Sequence, residues 1–340
     1  MAKINYGIIG CGRIAKRHAE IIAKTGVLKA VCDIKLDKAK EFADTFNSVM
    51  YIDINDLLKN GTDIEVISVC TPNGLHAEHS ILSLRAGKHV LCEKPMAISV
   101  EDCEKMIIES DKAGKHLFIV KQNRFNPPVE ALKRVIDEGR LGKIINIEVN
   151  CFWNRNEKYY NESDWKGKKT ADGGTLYTQF SHFIDLMYWL AGDVEIVQAF
   201  GKNLIHGKLI EFEDTGVIIL RFLCGALGTI NYTVNSYKKN MEGSIAIFGE
   251  KGTVKIGGQY LNILEYQCIK DYDIKGLPES RPANDYGFYQ GSMSNHEKVY
   301  ENITDVLHNG GKIAANAYEG MKTVEIISKI YQQMEQSNRV

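Results

Sequence analysis

The segment HVLCEKPMA, residues 89–97, ends an apolar run with Glu93, Lys94 and Pro95. A lysine that is largely desolvated, or that lies near another cation, has a lowered pKa and can take part in proton transfer. Pro95 fixes its own φ and restricts the residue before it, so it holds Lys94 in one orientation. The alternative is a solvated surface pair of Glu93 and Lys94, and the dipeptide alone favours that alternative.

A histidine in the segment GGTLYTQFSHFIDLMYWLAG is the second group suited to proton transfer. The apolar pattern predicts a helix near 175–191. Thr178, His182, Asp185 and Trp189 fall on one face of it, at i, i+4, i+7 and i+11. An imidazole with an ordinary pKa of about 6.5 suits general-base work on an alcohol. A satisfied core histidine is the more frequent case, and the helix alone favours that reading.

A glycine-rich turn near the N-terminus predicts a dinucleotide site. The segment GIIGCGRIAKRH places Gly10, Gly12 and Ala15 in a G-x-G-x-x-A pattern after a strand and before a helix. Gly10 allows the tight turn, Gly12 lets backbone approach a pyrophosphate, and Ala15 lets helix and strand pack closely. The helix N-terminus offers free N–H groups to phosphate. Asp33 ends the next strand, where a carboxylate binds the ribose and repels a 2′-phosphate, which favours NAD over NADP.

A further strand ends in CTPNGLHAEH, at the edge of the sheet where a doubly wound fold receives its ligand. This places Pro72 and Asn73 in the crevice. His76 and His79 have helical spacing and raise the possibility of a metal site. No third ligand is evident in the sequence, so a helix start with an exposed histidine is the favoured interpretation and no metal is expected.

The elements that position these groups change character along the chain. Up to residue 122, apolar strands alternate with helices, which predicts a doubly wound parallel sheet. Beyond it, strand-rich runs joined by CGALG and GEKG turns predict antiparallel hairpins, with one apolar helix among them and two helices at the end. We therefore expect a dinucleotide-binding domain over residues 1–122 and an α+β domain with a large, mainly antiparallel sheet over 123–340.

Composition excludes several classes of partner. The 340 residues carry a formal net charge of −1, which gives no reason to expect nucleic acid or an anionic membrane as partner. The eight cysteines form no CxxC pair, and several lie in apolar strand runs, as expected for reduced thiols in the cytoplasm. The first strand begins almost at the N-terminus, which leaves no room for a signal peptide. No apolar run approaches the roughly 20 residues of a membrane span.

Four segments in order resemble the glucose–fructose oxidoreductase / inositol dehydrogenase / MocA (Gfo/Idh/MocA) family: GIIGCGRIAKRH, TPNGLHAEH, GKHVLCEKPMA and GGTLYTQFSHFIDL. The resemblance spans essentially the whole chain. It implies an NAD-dependent sugar oxidoreductase in which Lys94 contacts the reacting hydroxyl and His182 is the catalytic histidine. Many relatives carry Asp where this chain has Thr178, which leaves the imidazolium less stabilised. The cofactor contacts we expect are Gly10, Gly12, Arg13, Ile14, Asp33, Thr71, Pro72, Asn73, His76, Glu93, Lys94 and Gln122.

Within that family, further segments are similar to the UDP-N-acetylglucosaminuronate 3-dehydrogenases of bacterial surface-polysaccharide synthesis, among them KQNRFNPPVEAL and NCFWNRNEKYYNESDWKG. This similarity implies oxidation of the sugar C3 hydroxyl. A substrate with a diphosphate and a carboxylate needs cations and hydrogen-bond donors. The substrate contacts we expect are Lys94, Asn123, Arg124, Arg155, Trp165, Lys166, Thr178, Gln179 and His182.

Two other functions stay open at this point. One is a dehydrogenase of the same family that acts on a free sugar or cyclitol. The other is an NAD-binding sensor or co-regulator that catalyses nothing, although such a protein needs neither Lys94 nor His182. In the second domain, mixed apolar and aromatic positions in GTINYTVNSY suggest a subunit contact, so we expect a homodimer or homotetramer formed through the C-terminal sheet.

Overall fold

The computed structural model describes residues 2–287 and 289–337. The chain divides into two compact units, the first comprising Met1–Lys121 with His296–Val324 and the second Gln122–Asn295 with Glu325–Val340. The chain thus leaves the first unit near residue 121 and returns to it for the segment His296–Val324. The domain division predicted at residue 122 stays a prediction.

Six parallel strands form the sheet of the first unit, in the order β3-β2-β1-β4-β5-β6. This is the strand order of a doubly wound dinucleotide-binding fold and confirms the predicted fold class. The strands are β1 (Asn5–Ile9), β2 (Val27–Cys32), β3 (Val49–Tyr51), β4 (Val66–Val69), β5 (His89–Cys92) and β6 (Leu117–Ile119).

Helices connect these strands, and local residue chemistry sets their ends. The Ser99 hydroxyl accepts from the Asp102 amide at 3.1 Å and caps α5, which ends at Gly114 in the left-handed region (φ +61°). The helices are α1 (Arg13–Thr25), α2 (Leu36–Phe46), α3 (Ile54–Asn60), α4 (His76–Arg85) and α5 (Val100–Ala113).

A seven-stranded sheet dominates the second unit, in the order β13-β12-β11-β7-β10-β9-β8. Strands β7 and β10 pair in parallel, while the other neighbours in this sheet pair antiparallel. The strands are β7 (Ile144–Phe152), β8 (Val194–Lys202), β9 (Thr215–Phe222), β10 (Leu227–Thr233), β11 (Glu242–Gly249), β12 (Gly252–Gly257) and β13 (Ile263–Ile269), and a separate hairpin pairs β14 (Ala283–Asp285) with β15 (Gln290–Met293).

Side chains alternate between the two faces of this sheet. In β10, Ile230 and Tyr232 are fully buried and face the core of the unit, whereas Tyr237, at the end of the segment GTINYTVNSY, is 84% exposed. The subunit contact expected from this segment stays a prediction. Neighbouring strands carry further exposed apolar side chains, with Phe200, Val217 and Ile219 between 46% and 53% exposed.

The predicted helix over 175–191 is present but has two geometries. Residues Leu176–Phe180 form a π-helical turn that leads into an α-helix, Ser181–Ala191. Gly174, at φ +138°, precedes it, and a Cβ there would lie 2.2 Å from the Tyr331 hydroxyl. Only glycine permits that close approach.

The remaining helices are α6 (Pro127–Asp137), α7 (Glu157–Asn161), α8 (Ser181–Ala191), α9 (His296–Asn309) and α10 (Ala317–Ser337). Across residues 2–287 and 289–337, no helix has the combined length and apolarity to cross a bilayer.

Candidate active site

The glycine turn of the first unit has the geometry that a bound dinucleotide requires. Gly10 has φ +89°, and a Cβ there would lie 2.9 Å from the Cys70 carbonyl group. Its amide donates to the Cys32 carbonyl at 2.8 Å. At Gly12, by contrast, a Cβ would meet no heavy atom within 4 Å, so that position opens onto free space. The conformation of the turn therefore requires glycine at position 10, whereas the fold alone does not require glycine at position 12.

A carboxylate is fixed at the end of β2. Asp33 accepts the Cys11 amide on Oδ2 and the Lys35 amide on Oδ1, both at 2.8 Å. Burial, followed by the charge of Asp33, raises the pKa of Cys11 to about 12, so that thiol stays protonated. The first turn of α1 contains no acidic residue and no side-chain cap, which leaves its N–H groups available to phosphate. These features fit NAD.

A buried histidine ties two loops of this unit together. His76 lies with Nδ1 2.7 Å from the Pro95 carbonyl and Nε2 2.9 Å from the Thr71 carbonyl. Burial lowers the pKa of His76 despite these two bonds. His79 contacts the Thr71 hydroxyl through Nδ1 at 3.1 Å. Since both nitrogens of His76 contact backbone, these contacts give no support to a metal site made with His79.

The carboxylate of Glu93 ends a hydrogen-bonded chain inside the unit. The Ser68 hydroxyl lies 3.1 Å from the Tyr300 hydroxyl, which lies 2.7 Å from His18 Nδ1. His18 Nε2 lies 2.8 Å from Glu93 Oε1. With Tyr300 donating to Nδ1, His18 carries its proton on Nε2 and donates it to Glu93.

The burial of Glu93 excludes one of the two interpretations of the Glu-Lys-Pro turn. Glu93 is 5% exposed, so a solvated surface pair with Lys94 is excluded. Burial raises the pKa of Glu93, but hydrogen bonds from His18 and His296 outweigh it and hold that pKa well below its usual range. Its Oε2 accepts the Lys94 amide at 3.0 Å, and the Lys94–Pro95 peptide bond is cis. An ionised, immobile glutamate thus fixes the backbone of Lys94, whose side chain is half-buried.

His18, Glu93 and His296 also form a group with the composition of a metal site, since one ligand atom from each lies within 4.8 Å of the others. The contact between His18 and Glu93 is accounted for as a hydrogen bond. The expectation that the chain binds no metal stays a prediction.

In the second unit, His182 is surrounded by groups that define its basic nitrogen. Gln122 Nε2 and Ser292 Oγ each lie 3.4 Å from His182 Nε2. Gln122 Nε2 also donates to Ser292 Oγ at 2.9 Å, which leaves the serine proton free to point at the ring. Both neighbours can donate to Nε2, so this arrangement favours an unprotonated Nε2 and a proton on Nδ1. That is the state a general base needs.

The residue one turn before His182 contacts a buried carboxylate. The Thr178 hydroxyl donates to Asp172 Oδ1 and lies 3.1 Å from the Asp172 carbonyl. Asp172 Oδ2 accepts the Gly167 amide at 2.8 Å. The Thr178 hydroxyl is therefore bonded to a carboxylate although position 178 itself is not acidic.

The family models match both parts of the chain. Residues 4–121 match the oxidoreductase family with an NAD-binding Rossmann fold, and residues 129–255 match the GFO/IDH/MocA C-terminal domain. The chain belongs to the Gfo/Idh/MocA family. The predicted family, the oxidoreductase class and NAD as cofactor are thereby confirmed.

Three similar proteins illustrate this family. The WlbA dehydrogenase of Chromobacterium violaceum, solved with NADH and UDP-GlcNAcA, is 35% identical with a TM-score of 0.90, covering 99% of this chain and 95% of that one. The WlbA dehydrogenase of Bordetella pertussis, solved with the same two ligands, is 35% identical with a TM-score of 0.87, covering 98% and 97%. The myo-inositol 2-dehydrogenase of Thermotoga maritima is 30% identical over 260 residues, 74% of each chain.

Among the cations predicted to contact substrate, Arg124 has a structural partner in this Gfo/Idh/MocA protein. Its Nε and Nη2 donate to the two carboxylate oxygens of Asp185 at 2.9 and 2.8 Å, with both side chains buried. The guanidinium carbon also lies 5.1 Å from the centre of the Trp189 ring. Arg124 and Asn123 are both buried in the turn before α6, and their contact with substrate stays a prediction.

Arg155 is buried in an aromatic cage. Its Nε donates to Gln179 Oε1 at 2.6 Å, and its guanidinium carbon lies 5.0 to 5.3 Å from the rings of Trp153, Tyr159 and Tyr289. Lys166 joins the same cluster, with Nζ 4.0 Å from the Tyr159 ring centre and 2.8 Å from the Glu162 carboxylate. The structure therefore brings together Arg155, Lys166 and Gln179, which the sequence separates. Trp165 is half-buried beside Lys166.

Sequence reasoning missed several residues that contact the predicted site residues, among them Asp172, Ser292, His18 and His296. Asp172 stands directly before the double glycine of the catalytic helix, and that position was the one available signal. Ser292 lies far from His182 in the sequence. His18 and His296 reach Glu93 from opposite ends of the chain, so no local pattern could have linked them.

Proposed function

We propose that this Gfo/Idh/MocA protein oxidises the C3 hydroxyl of UDP-N-acetylglucosaminuronate to a keto group with NAD⁺, as a step of surface-polysaccharide synthesis. The observation that carries this proposal is the similarity, along nearly the full chain, to two WlbA dehydrogenases solved with NADH and UDP-GlcNAcA. Bound NAD⁺ supplies the oxidation by accepting a hydride from the carbon that bears the hydroxyl.

His182 takes the hydroxyl proton in this proposal. Its Nε2 faces the donors Gln122 and Ser292, and a substrate hydroxyl that displaces their weak 3.4 Å contacts gains a strong acceptor. The proton stays on the imidazole as the carbonyl forms. The imidazole is buried on α8, which apolar side chains and the Arg124–Asp185 pair hold in place, so its orientation is fixed before substrate arrives.

Lys94 orients the same oxygen and stabilises the negative charge that develops on it. The ionised Glu93 holds the Lys94 backbone through its amide, and Pro95 restricts the backbone on the other side. Lys94 and His182 belong to different compact units, so their approach to one hydroxyl is part of the proposal.

An anionic sugar nucleotide is supported by the cations of the second unit. Arg155 and Lys166 both contact the Tyr159 ring, an arrangement that suits the carboxylate or diphosphate of such a substrate, and Gln179 contacts Arg155 and Tyr159. Asn123, Arg124, Trp165 and Thr178 complete the proposed substrate contacts.

A free polyol is the second candidate substrate, since the myo-inositol 2-dehydrogenase relative is 30% identical. Incubation of the purified protein and NAD⁺ with UDP-N-acetylglucosaminuronate, UDP-N-acetylglucosamine or myo-inositol separates the candidates through the absorbance of reduced nicotinamide. Reduction with the uronate alone supports the proposal, and reduction with myo-inositol alone contradicts it. NAD binding without turnover of any sugar favours the sensor.

We also propose that the protein acts in the cytoplasm as a homodimer or homotetramer. The exposed apolar side chains of β8 and β9 form a patch on one face of the seven-stranded sheet, defined here by Phe200, Val217 and Ile219. A patch of this kind favours association with a second copy. The eight cysteines are free thiols, which suits a reducing compartment.

A further inference from the structure

A buried carboxylate of the second unit contacts the catalytic helix and has no part in the mechanism so far. Asp172 is 1% exposed and stands just before the glycines that begin the helix of His182. Burying a carboxylate is costly unless donors surround it. Asp172 receives the Gly167 amide on one oxygen and the Thr178 hydroxyl on the other.

The contact with Asp172 determines whether the Thr178 hydroxyl acts as a donor or an acceptor toward its other neighbours. A threonine hydroxyl has one proton and two lone pairs. Because an ionised carboxylate only accepts, the Thr178 proton points to Asp172 and the lone pairs point away from it. Thr178 is half-buried while Asp172 is buried, so the acceptor side of the hydroxyl faces the more accessible side of the helix. A hydroxyl that donates to a carboxylate is also a stronger acceptor than a free one.

The helix places this acceptor beside the base. Thr178 lies four residues before His182, and the π-helical turn Leu176–Phe180 leads directly into the α-helix that carries the imidazole. Four residues are close to one turn in either geometry, so both side chains lie along the same side of the helix. His182 Nε2 faces Gln122 and Ser292, and neither of these side chains carries a negative charge that compensates an imidazolium.

We propose that Asp172 is a positioning residue that acts through Thr178. The polarised Thr178 hydroxyl is an acceptor for the protonated imidazole that forms when His182 takes the substrate proton, and Asp172 supplies the compensating negative charge. This rests on the proposed function, because it requires His182 to be protonated during turnover. The negative charge of Asp172 thus stabilises the imidazolium through the Thr178 hydroxyl, and not from a carboxylate on the helix itself.

The test compares steady-state turnover of UDP-N-acetylglucosaminuronate in five variants of the full chain. Thr178→Val and Asp172→Asn should each lower kcat roughly 10- to 100-fold with little change in KM, the range for loss of a charge-assisted hydrogen bond. Thr178→Ser should retain most of the activity. The double variant Thr178→Val/Asp172→Asn should be no slower than Thr178→Val alone, since Asp172 acts only through the hydroxyl. Thr170→Val, at an exposed threonine nearby, is the matched control and should match wild type.

A relocated carboxylate separates this role from a purely structural one. Asp172→Asn/Thr178→Asp puts the charge directly on the helix and should recover most of the kcat lost in Asp172→Asn. Additive losses in the double variant, or no recovery on relocation, would overturn the inference. A wild-type protein that oxidises no sugar would instead overturn the proposed function, so the two failures are distinguishable. NADH binding followed by fluorescence checks that each variant is folded.

Discussion

Arg124 and Asp185 form a bidentate ion pair inside the second unit, with both side chains buried and their two contacts at 2.9 and 2.8 Å. The pair joins the turn before α6 to the helix that carries His182. Because Asp185 lies three residues after His182, the pair also fixes the rotation of that helix.

Asp185→Asn should destabilise the protein by about 3–5 kcal/mol, because it removes one charge of a buried, bidentate ion pair with Arg124. Urea unfolding measures the change. Lys105→Ala, which removes an exposed lysine from its pair with Glu101, is the control and should leave the unfolding midpoint unchanged. An equal effect of both variants would contradict a structural role for the buried pair.

Gly10→Ala and Gly12→Ala should separate folding from cofactor binding. At position 10 a methyl group strains the backbone and clashes with Cys70, so stability and NAD affinity should both fall. At position 12 a methyl group meets nothing in the protein, so stability should hold while NAD affinity drops by roughly tenfold or more. Thermal unfolding and NADH fluorescence titration measure the two properties. If Gly12→Ala binds NADH as wild type does, the phosphate does not approach that turn.

Glu213 should make stability depend on pH. Its Oε1 accepts from the hydroxyls of Tyr232 and Tyr331 at 2.9 and 2.8 Å, and burial raises its pKa from 4.5 to about 7. The contribution of this group is full below pH 4.5 and is lost as the pH rises to about 7, because the unfolded carboxyl ionises over this range while the folded one stays protonated.

Glu213→Gln keeps an acceptor for both tyrosines without that ionisation. Relative to wild type, the variant should therefore gain stability between about pH 5 and pH 8, by up to a few kcal/mol. Urea unfolding at the two pH values measures the gain, with Glu20→Gln on the exposed face of α1 as the control. A difference from wild type that does not change with pH would show that Glu213 is ionised throughout.

The exposed patch of Phe200, Val217 and Ile219 should hold subunits together. Phe200→Asp/Val217→Asp places two charges on adjacent strands and should convert the oligomer to a smaller species in light scattering. Ile108→Asp, at a similarly exposed site on α5, should leave the mass unchanged. A wild-type protein that is already a monomer at micromolar concentration would contradict the proposed assembly.

Local patterns were enough to predict the parallel sheet and the glycine turn, because both depend on residues near one another in the sequence. The short elements β3 and α3 were not predicted. Val49 and Met50 in β3 are largely exposed, so no buried run marks this strand. Alternation in β10 revealed two faces but not which of them packs on the core, so the burial of Ile230 and Tyr232 became visible only in the structure.

The surroundings of the predicted site residues depend on distant parts of the chain. Ser292 reaches His182, and Tyr300 and His296 reach the network of Glu93, across long sequence separations that no spacing encodes. The π-helical turn before α8 likewise leaves no trace in the apolar pattern. Sequence therefore predicted candidate reactive groups, while their hydrogen-bonded surroundings became visible only in the structure.

The rate of NAD⁺ reduction by UDP-N-acetylglucosaminuronate in Lys94→Ala, His182→Ala and the double variant tests the central claim most directly. Each single change should lower kcat by roughly 100- to 10,000-fold with NADH still bound. The loss of kcat in the double variant should be far smaller than the product of the two single losses, because both groups act on one oxygen. Near-normal turnover in either single variant would contradict the account.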